Sequence, residues 1–205
     1  TWGTFGVGGN MGTSKIVQSN YISNQLTLLL TPCNKMSPII LPYKGVMPTI
    51  DPTAYIAPGA VIVGDVHIGP QSSVWFGCVL RGDVNVIRVG ARTNIQDGTI
   101  VHVTYGGQGT HIGDDVTIGH MALLHDCTLE NQCFIGMKAV VIDKARVETL
   151  AMVGAGALVT QNKVVPSKQL WVGNPAKYWR DLKDEEIAEI KHRPVHYMNI
   201  AAQYQ

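Results

Sequence analysis

Charge is what this chain has least of. Asp, Glu, Lys and Arg together make up 15% of its 205 residues and cancel to a net +1 with histidine neutral. Such a balance offers no electrostatic footprint for nucleic acid or for an anionic membrane surface. A run of apolar residues long enough to span a bilayer is also missing, although 45% of the chain is apolar. Low charge beside ordinary hydrophobicity fits a fold whose sides pack on other subunits better than it fits a free monomer. The four cysteines, Cys33, Cys78, Cys127 and Cys133, include no Cys-x-x-Cys pair. That disfavours a cysteine metal site and a disulfide framework, and points to free thiols in a reducing, cytoplasmic setting. Residues 1–35 hold no acidic residue and no arginine, only Lys15 and Lys35 as charges. They lack the basic start of a secretory signal and the arginine richness of a transit peptide. They read as a leader or vector-derived segment outside the fold.

What is abundant is a single period. Ile50, Ile56, Ile62, Ile68, Val74, Leu80 and Val86 recur every six residues. Val89, Ile95 and Val101 resume the series out of step, Ile112, Ile118 and Leu124 follow a longer gap, and Leu129 opens a final run that reaches Val165. Neither an amphipathic helix nor an alternating strand has a period of six; a fixed repeat marks a stacked architecture. The position four after each aliphatic is usually small, as at Ala60, Ser72, Cys78, Thr93, Thr99, Ala122 and Ala139. Glycine often follows the aliphatic directly, as at Gly69, Gly90, Gly113 and Gly136. This is the hexapeptide repeat of a parallel β-helix, an all-β solenoid with short strands on flat sides and glycines and polar residues at the corners. Residues 36–170 form that domain on this reading, and 171–205 a C-terminal extension.

The period converts sequence position into spatial position. Three hexapeptides make one triangular turn, so residues eighteen apart stack at about 4.8 Å. Two interruptions intervene: residues 86–88 read as a three-residue insertion, and 103–111 (VTYGGQGTH) as a glycine-bearing loop thrown out at a corner. With both allowed for, Leu80, Val101 and Leu124 share one side, so Arg81, His102 and His125 form a vertical stack. Ile95 lies against Ile118, which puts Gln96 and Asp97 beside Gly119 and His120 on a different side.

Zinc–nitrogen bonds of about 2.0–2.1 Å place two ligand nitrogens roughly 3.3 Å apart. His102 and His125, one turn apart, can meet that requirement; His120 of the same chain cannot. A closed three-fold arrangement brings one edge of each subunit against a different edge of the next, so that His120 of a neighbour completes the site. The expectation is a homotrimer with a metal at each interface, and three neutral imidazoles with an open fourth position describe a catalytic ion. His67, His192 and His196 read as surface residues, and His111, at the end of the loop, as a candidate proton carrier.

The motifs R-G-D at 81–83, N-I-Q-D-G at 94–98, I-V-H-V around His102 and I-G-H-M-A-L-L-H-D-C at 118–127 resemble the γ-class carbonic anhydrases and their bacterial relatives, from about Lys44 to the end. The resemblance implies a left-handed β-helix with a C-terminal α-helix, assembled as a homotrimer. It implies Zn2+, or Fe2+ or Co2+, at each subunit interface on His102, His125 and the neighbour's His120. It implies reversible hydration of CO2 to bicarbonate by a metal-bound hydroxide. Arg81, Asp83 and Asp97 resemble the family's charge network, though a plain structural ion-pair set would use the same residues. Gln96, with Asn94, resembles the residue that hydrogen-bonds the attacking water, and Tyr197 an active-site tyrosine. Val84 stands after R-G-D and the loop 103–111 holds no acid, so the acidic proton shuttle of the most active members is missing and modest turnover is expected. Two other functions share this coil: a hexapeptide-repeat acyl-CoA transferase or thioesterase using one loop histidine as general base, and a non-catalytic scaffold subunit.

After W-V-G-N-P-A-K, the segment D-E-E-I-A-E-I-K has acids in its first turn and Ile187 and Ile190 three apart. A short amphipathic helix is expected there, broken or kinked at Pro194, covering the flank of the coil.

Overall fold

A computed structural model describes residues 37–204; the segment read as a leader, with Cys33, lies outside them. The chain forms a parallel β-solenoid of about 7 turns followed by one helix. Inward residues stack coil upon coil. On one side the column runs Ile40, Ile62, Leu80, Val101, Leu124, Val141 and Val159. A second column runs from Ile50 through Val89 and Ile112 to Val165, and a third from Ile56 through Ile95 and Ile118 to Val153. Most of these aliphatics are fully buried, and the small residues four positions on (Ala60, Cys78, Thr99, Ala122, Ala139) are buried beside them. A narrow prism has room for one large side chain per strand and a small one at each corner, which is why the pattern repeats. The strands Val61–Ile68 and Val79–Val89 run round a corner, so hydrogen bonding joins two sides into a twelve-stranded sheet while the third side is eight-stranded.

Strand register corrects the first interruption. Gly64 pairs with Gly82, and Val66 then pairs with Ile87. The three extra residues therefore fall within 83–86, not at 86–88. Ile87 is buried and Val86 is only partly so, which removes Val86 from the inward series. Ile112 pairs with Leu129 and Leu124 with Val141 at spacings one short of eighteen, so the corner after Leu124 is one residue tight.

The corners are turned by polar residues and glycine, as the repeat predicts, with polar residues the larger share. The left-handed residue stands three positions after the inward aliphatic and is mostly not glycine: Gln132, Lys138, Lys144, Leu150, Gly156, Asn162 and Lys168 follow one another every six residues with φ between 56° and 68°. Glycines directly after the aliphatics serve a different need. A Cβ on Gly136 would lie 2.5 Å from the backbone nitrogen of Ala155 in the next coil. Those glycines allow neighbouring coils to approach.

The coil continues through Gln169–Val172, where Trp171 stacks on Val153, and the strand Lys177–Asp181 folds back antiparallel upon it. The helix spans Asp184–Ala201 without a break, with Pro194 inside it. Glu186 accepts the Lys183 backbone N–H at 2.9 Å and pairs with both guanidinium nitrogens of Arg180, which fixes its start. Ile187 and Ile190 pack with Leu170, Leu182, Phe134 and Met152, and Tyr197, Ile200 and Ala201 with Tyr55 and Trp75. Packing along both halves holds the chain helical through the proline. No helix among the described residues is long and apolar enough to cross a membrane.

Candidate metal centre

The register places His125 directly on His102, at the end of the strands Leu123–His125 and Ile100–His102. His102 Nδ1 and His125 Nε2 are 3.3 Å apart. The remaining nitrogen of each ring faces a carboxylate: His102 Nε2 lies 2.9 Å from Asp83 Oδ1, and His125 Nδ1 lies 2.6 Å from Asp143 Oδ1. An ionised carboxylate only accepts, so those outer nitrogens carry the ring protons. Two lone pairs are then left facing each other across the gap, an arrangement that a cation satisfies.

Asp83 reaches this place because of the insertion, which bulges the strand outward just after Gly82. Its second oxygen takes the Arg81 guanidinium. Burial pushes the Asp83 carboxyl up, but the hydrogen bonds from His102 and Arg81 and the Arg81 charge outweigh it, and the group sits below its ordinary value. Asn85, from the same bulge, donates to the carbonyls of Thr104 and Gly107 at 3.1 and 2.9 Å, tying the loop 103–111 to the edge.

The other predicted residues gather on a different side. His120 follows the strand Thr117–Ile118, which pairs with Asn94–Ile95, and its Nδ1 lies 2.8 Å from Asp97 Oδ2. Asn94 and Gln96 are buried there; Gln96 Nε2 donates to Asn94 Oδ1 at 3.0 Å, and Asn94 Nδ2 to Thr117 Oγ1 at 2.9 Å. Tyr197 comes to this side on the helix, its ring 5.8 Å from that of Trp75. Burial raises its phenol, the Arg193 charge works against that, and the Asp97 carboxylate adds to it.

One chain thus carries two half-sites: Arg81, Asp83, His102, His125 and Asp143 on one edge, Asn94, Gln96, Asp97, His120 and Tyr197 on another. Among the described residues no group of three or more His, Cys, Asp or Glu side chains is gathered for a metal. The donor set nevertheless suits a divalent ion. The 3.3 Å between the facing nitrogens is the separation of two ligands on a tetrahedral zinc, and a carboxylate behind each imidazole is the usual support of a metal-bound histidine.

His111 lies outside both groups. Its Nε2 donates to the Gln108 carbonyl at 2.9 Å, and its strand neighbours are Arg88 and Thr128. His192 and His196 are exposed on the helix, and His67 is exposed on its strand. Asp143 was missed from the sequence. Its signal was its place eighteen residues after His125, about one coil on.

The fold defines a hexapeptide-repeat β-helix protein, with two histidines stacked on one edge. No protein-family model matches the chain. It is 53% identical over 159 residues to gamma carbonic anhydrase 1, mitochondrial, of Arabidopsis thaliana, covering 75% of this chain and 58% of that protein. The chain therefore spans less than two thirds of the plant relatives it matches. It is 38% identical over 153 residues to a carbonic anhydrase of Geobacillus kaustophilus, covering 75% of this chain and 84% of that protein. Among solved structures, a hexapeptide transferase family protein from Anaplasma phagocytophilum matches with a TM-score of 0.79 at 47% identity, over 82% of this chain and 98% of that one. The chain belongs to the γ-class carbonic anhydrase family.

Proposed function

We propose that the protein hydrates CO2 reversibly to bicarbonate, as a homotrimer with one divalent metal ion at each interface. Zinc is the first choice of ion and ferrous iron or cobalt the alternatives. His102 and His125 would hold it from one chain and His120 from the next. The pair of imidazole nitrogens 3.3 Å apart, each ring braced from behind by a carboxylate, carries this reading. Membership of the family supports it.

An ion held by these three neutral imidazoles would keep its charge uncompensated and would supply hydroxide at neutral pH, because such a charge lowers the pKa of a water from 15.7 to about 7. The chain's own residues do the rest. Asp83 and Asp143 keep the ring protons on the outer nitrogens and the rings in place. Gln96, its amide N–H taken by Asn94, keeps its carbonyl oxygen to accept a hydrogen bond from the attacking water. Arg81, half exposed beside Asp83, offers its remaining donors to the bicarbonate oxygens or to the adjoining subunit. Tyr197, with its phenol held up by burial, stays a donor across the working range. No acidic residue of the loop 103–111 is available to export the proton, and His111 is turned to a carbonyl. Turnover is therefore modest and rises with buffer concentration.

The compartment is the cytoplasm on this reading, supported by three buried free thiols; the Arabidopsis relative's name gives that protein as mitochondrial. The test is metal content and stopped-flow CO2 hydration of protein purified without oxygen. About one ion per chain is expected, with hydration abolished by His102→Ala and equally by His120→Ala. Turnover of a coenzyme A thioester without CO2 hydration would favour the acyl-transfer reading instead. Metal-free wild-type protein after supply of zinc and ferrous iron would favour the scaffold.

A further inference from the structure

We propose that Asp143 is the positioning residue of His125, and that the loop 103–111 serves to hold Thr104 against it. The proposal rests on the reading of His125 as a ligand. The His125 Nδ1 to Asp143 Oδ1 distance of 2.6 Å is as short as bonds to an ionised carboxylate become. A carboxylate accepts and never donates, so this contact keeps the ring proton on Nδ1 and leaves Nε2 free, turned towards His102. The same carboxylate oxygen receives the Thr104 hydroxyl at 3.1 Å. Asp143 is thereby held from two sides, by the ring it orients and by the loop.

The loop is built so that Thr104 stays there. Asn85 Nδ2 bridges the carbonyls of Thr104 and Gly107. On the far side Asp126, 1% exposed, accepts the Gly109 N–H at 2.8 Å and the Gln108 N–H at 3.4 Å. Gln108 Nε2 donates back to the Asp126 carbonyl at 3.1 Å. A Cβ on Gly107 would stand 2.4 Å from Asp126 Oδ1, so a side chain there would have to displace this carboxylate from its bonds to the loop. A loop pinned by Asn85 and Asp126 is a brace and not a lid. Its chemistry passes through Thr104 to Asp143 and from there to one nitrogen of His125.

Asp143→Ala, Asp143→Glu and Thr104→Val in the full chain test this with two readouts. The first is the nitrogen-15 two-bond spectrum of His125 in metal-stripped protein. Wild type shows the Nδ1–H tautomer, and Asp143→Ala shifts the ring towards Nε2–H. The second is zinc affinity by competition with a chelator, which falls about 10–100-fold in Asp143→Ala, by less in Thr104→Val, and is partly restored in Asp143→Glu. An unchanged tautomer in Asp143→Ala, or zinc affinity equal to wild type, overturns the proposal. If wild type takes up no zinc, the metal centre is what fails, and the tautomer still decides whether Asp143 positions the ring. Should Asp143→Ala not fold, the isosteric Asp143→Asn is judged by its zinc affinity, equal to wild type overturning the proposal, and Thr104→Val, which exchanges a hydroxyl for a methyl, tests the loop alone.

Discussion

At the scale of single residues, the histidines were legible because the repeat made distance countable. His102 and His125 stack as the count requires, and His120 stands on another side. Asp143 was harder to read, since a polar residue two places after the inward Val141 is ordinary in this coil, and only the count of eighteen from His125 pointed to it. The cysteines were legible for the opposite reason, because Cys78 and Cys133 occupy the small inward position. Burial pushes the Cys78 thiol up to about 11 and the Cys127 thiol up to about 12, and raises Cys133 as well. A thiol whose folded value is raised keeps its full contribution to stability below the unfolded value of about 9. That contribution is lost as pH rises from there through about 11. In a Cys33→Ser background at pH 8, native protein should therefore give almost no reaction with a disulfide reagent over minutes, and three thiols after unfolding in guanidinium. A rapidly reacting thiol in the native protein would show that one of these cysteines is not buried as described.

At the scale of elements, the period of six was plain in the sequence while the corner geometry was not. Inward aliphatics announce themselves by hydrophobicity. A left-handed φ is announced only where glycine or asparagine carries it, and here Lys, Gln, Asp, Arg, Met and Leu residues carry it at many corners. The coil tolerates this because each turn is closed by backbone hydrogen bonds to its neighbours, such as Lys144 N–H to the Asp126 carbonyl at 2.7 Å. The strain is nonetheless present, about 1 kcal/mol at each such residue. Lys168 at φ 60° is exposed, and Asn162 already fills the equivalent position one repeat earlier. Lys168→Asn should stabilise the protein by up to about 1 kcal/mol, since asparagine enters this conformation most readily after glycine. Urea unfolding with an unchanged m-value is the measurement, and a loss of stability would mean that the lysine stem contributes packing that outweighs the strain. The helix taught a similar lesson, since local propensity at Pro194 gave way to packing of Ile190 on one side and Tyr197 on the other.

At the scale of the whole molecule, the three sides of the prism face three different environments. The side beneath the helix is covered, with Asn94 and Thr117 buried. The side that shows Thr49, His67, Arg88, His111, Thr128 and Arg146 outward is polar except at Val164 at its end, and its arginines are paired with Asp65 and Glu130. The third side presents Ile39, Val61, Val79, Ile100, Leu123, Val140 and Leu158 outward, a column of aliphatics with Ile39 47% and Leu123 38% exposed. A strand side buried on one face only should alternate apolar with polar, so aliphatics on both faces call for a second layer. The histidine pair ends this same side, so on the proposed function completion of the metal site is tied to whatever covers it. Under the proposed function a second copy bringing His120 would satisfy both needs at once, and three-fold closure would use each edge once. Val79→Glu combined with Val140→Glu places charge in that column without touching either half-site. The expected product is a folded monomer by sedimentation and circular dichroism, with zinc affinity reduced at least about 100-fold because one ligand of three is gone, a loss on the order of 3 kcal/mol. A double variant that stays trimeric would place the subunit contact on another side. A monomer that keeps zinc at wild-type affinity would show that one chain completes the site without its neighbour.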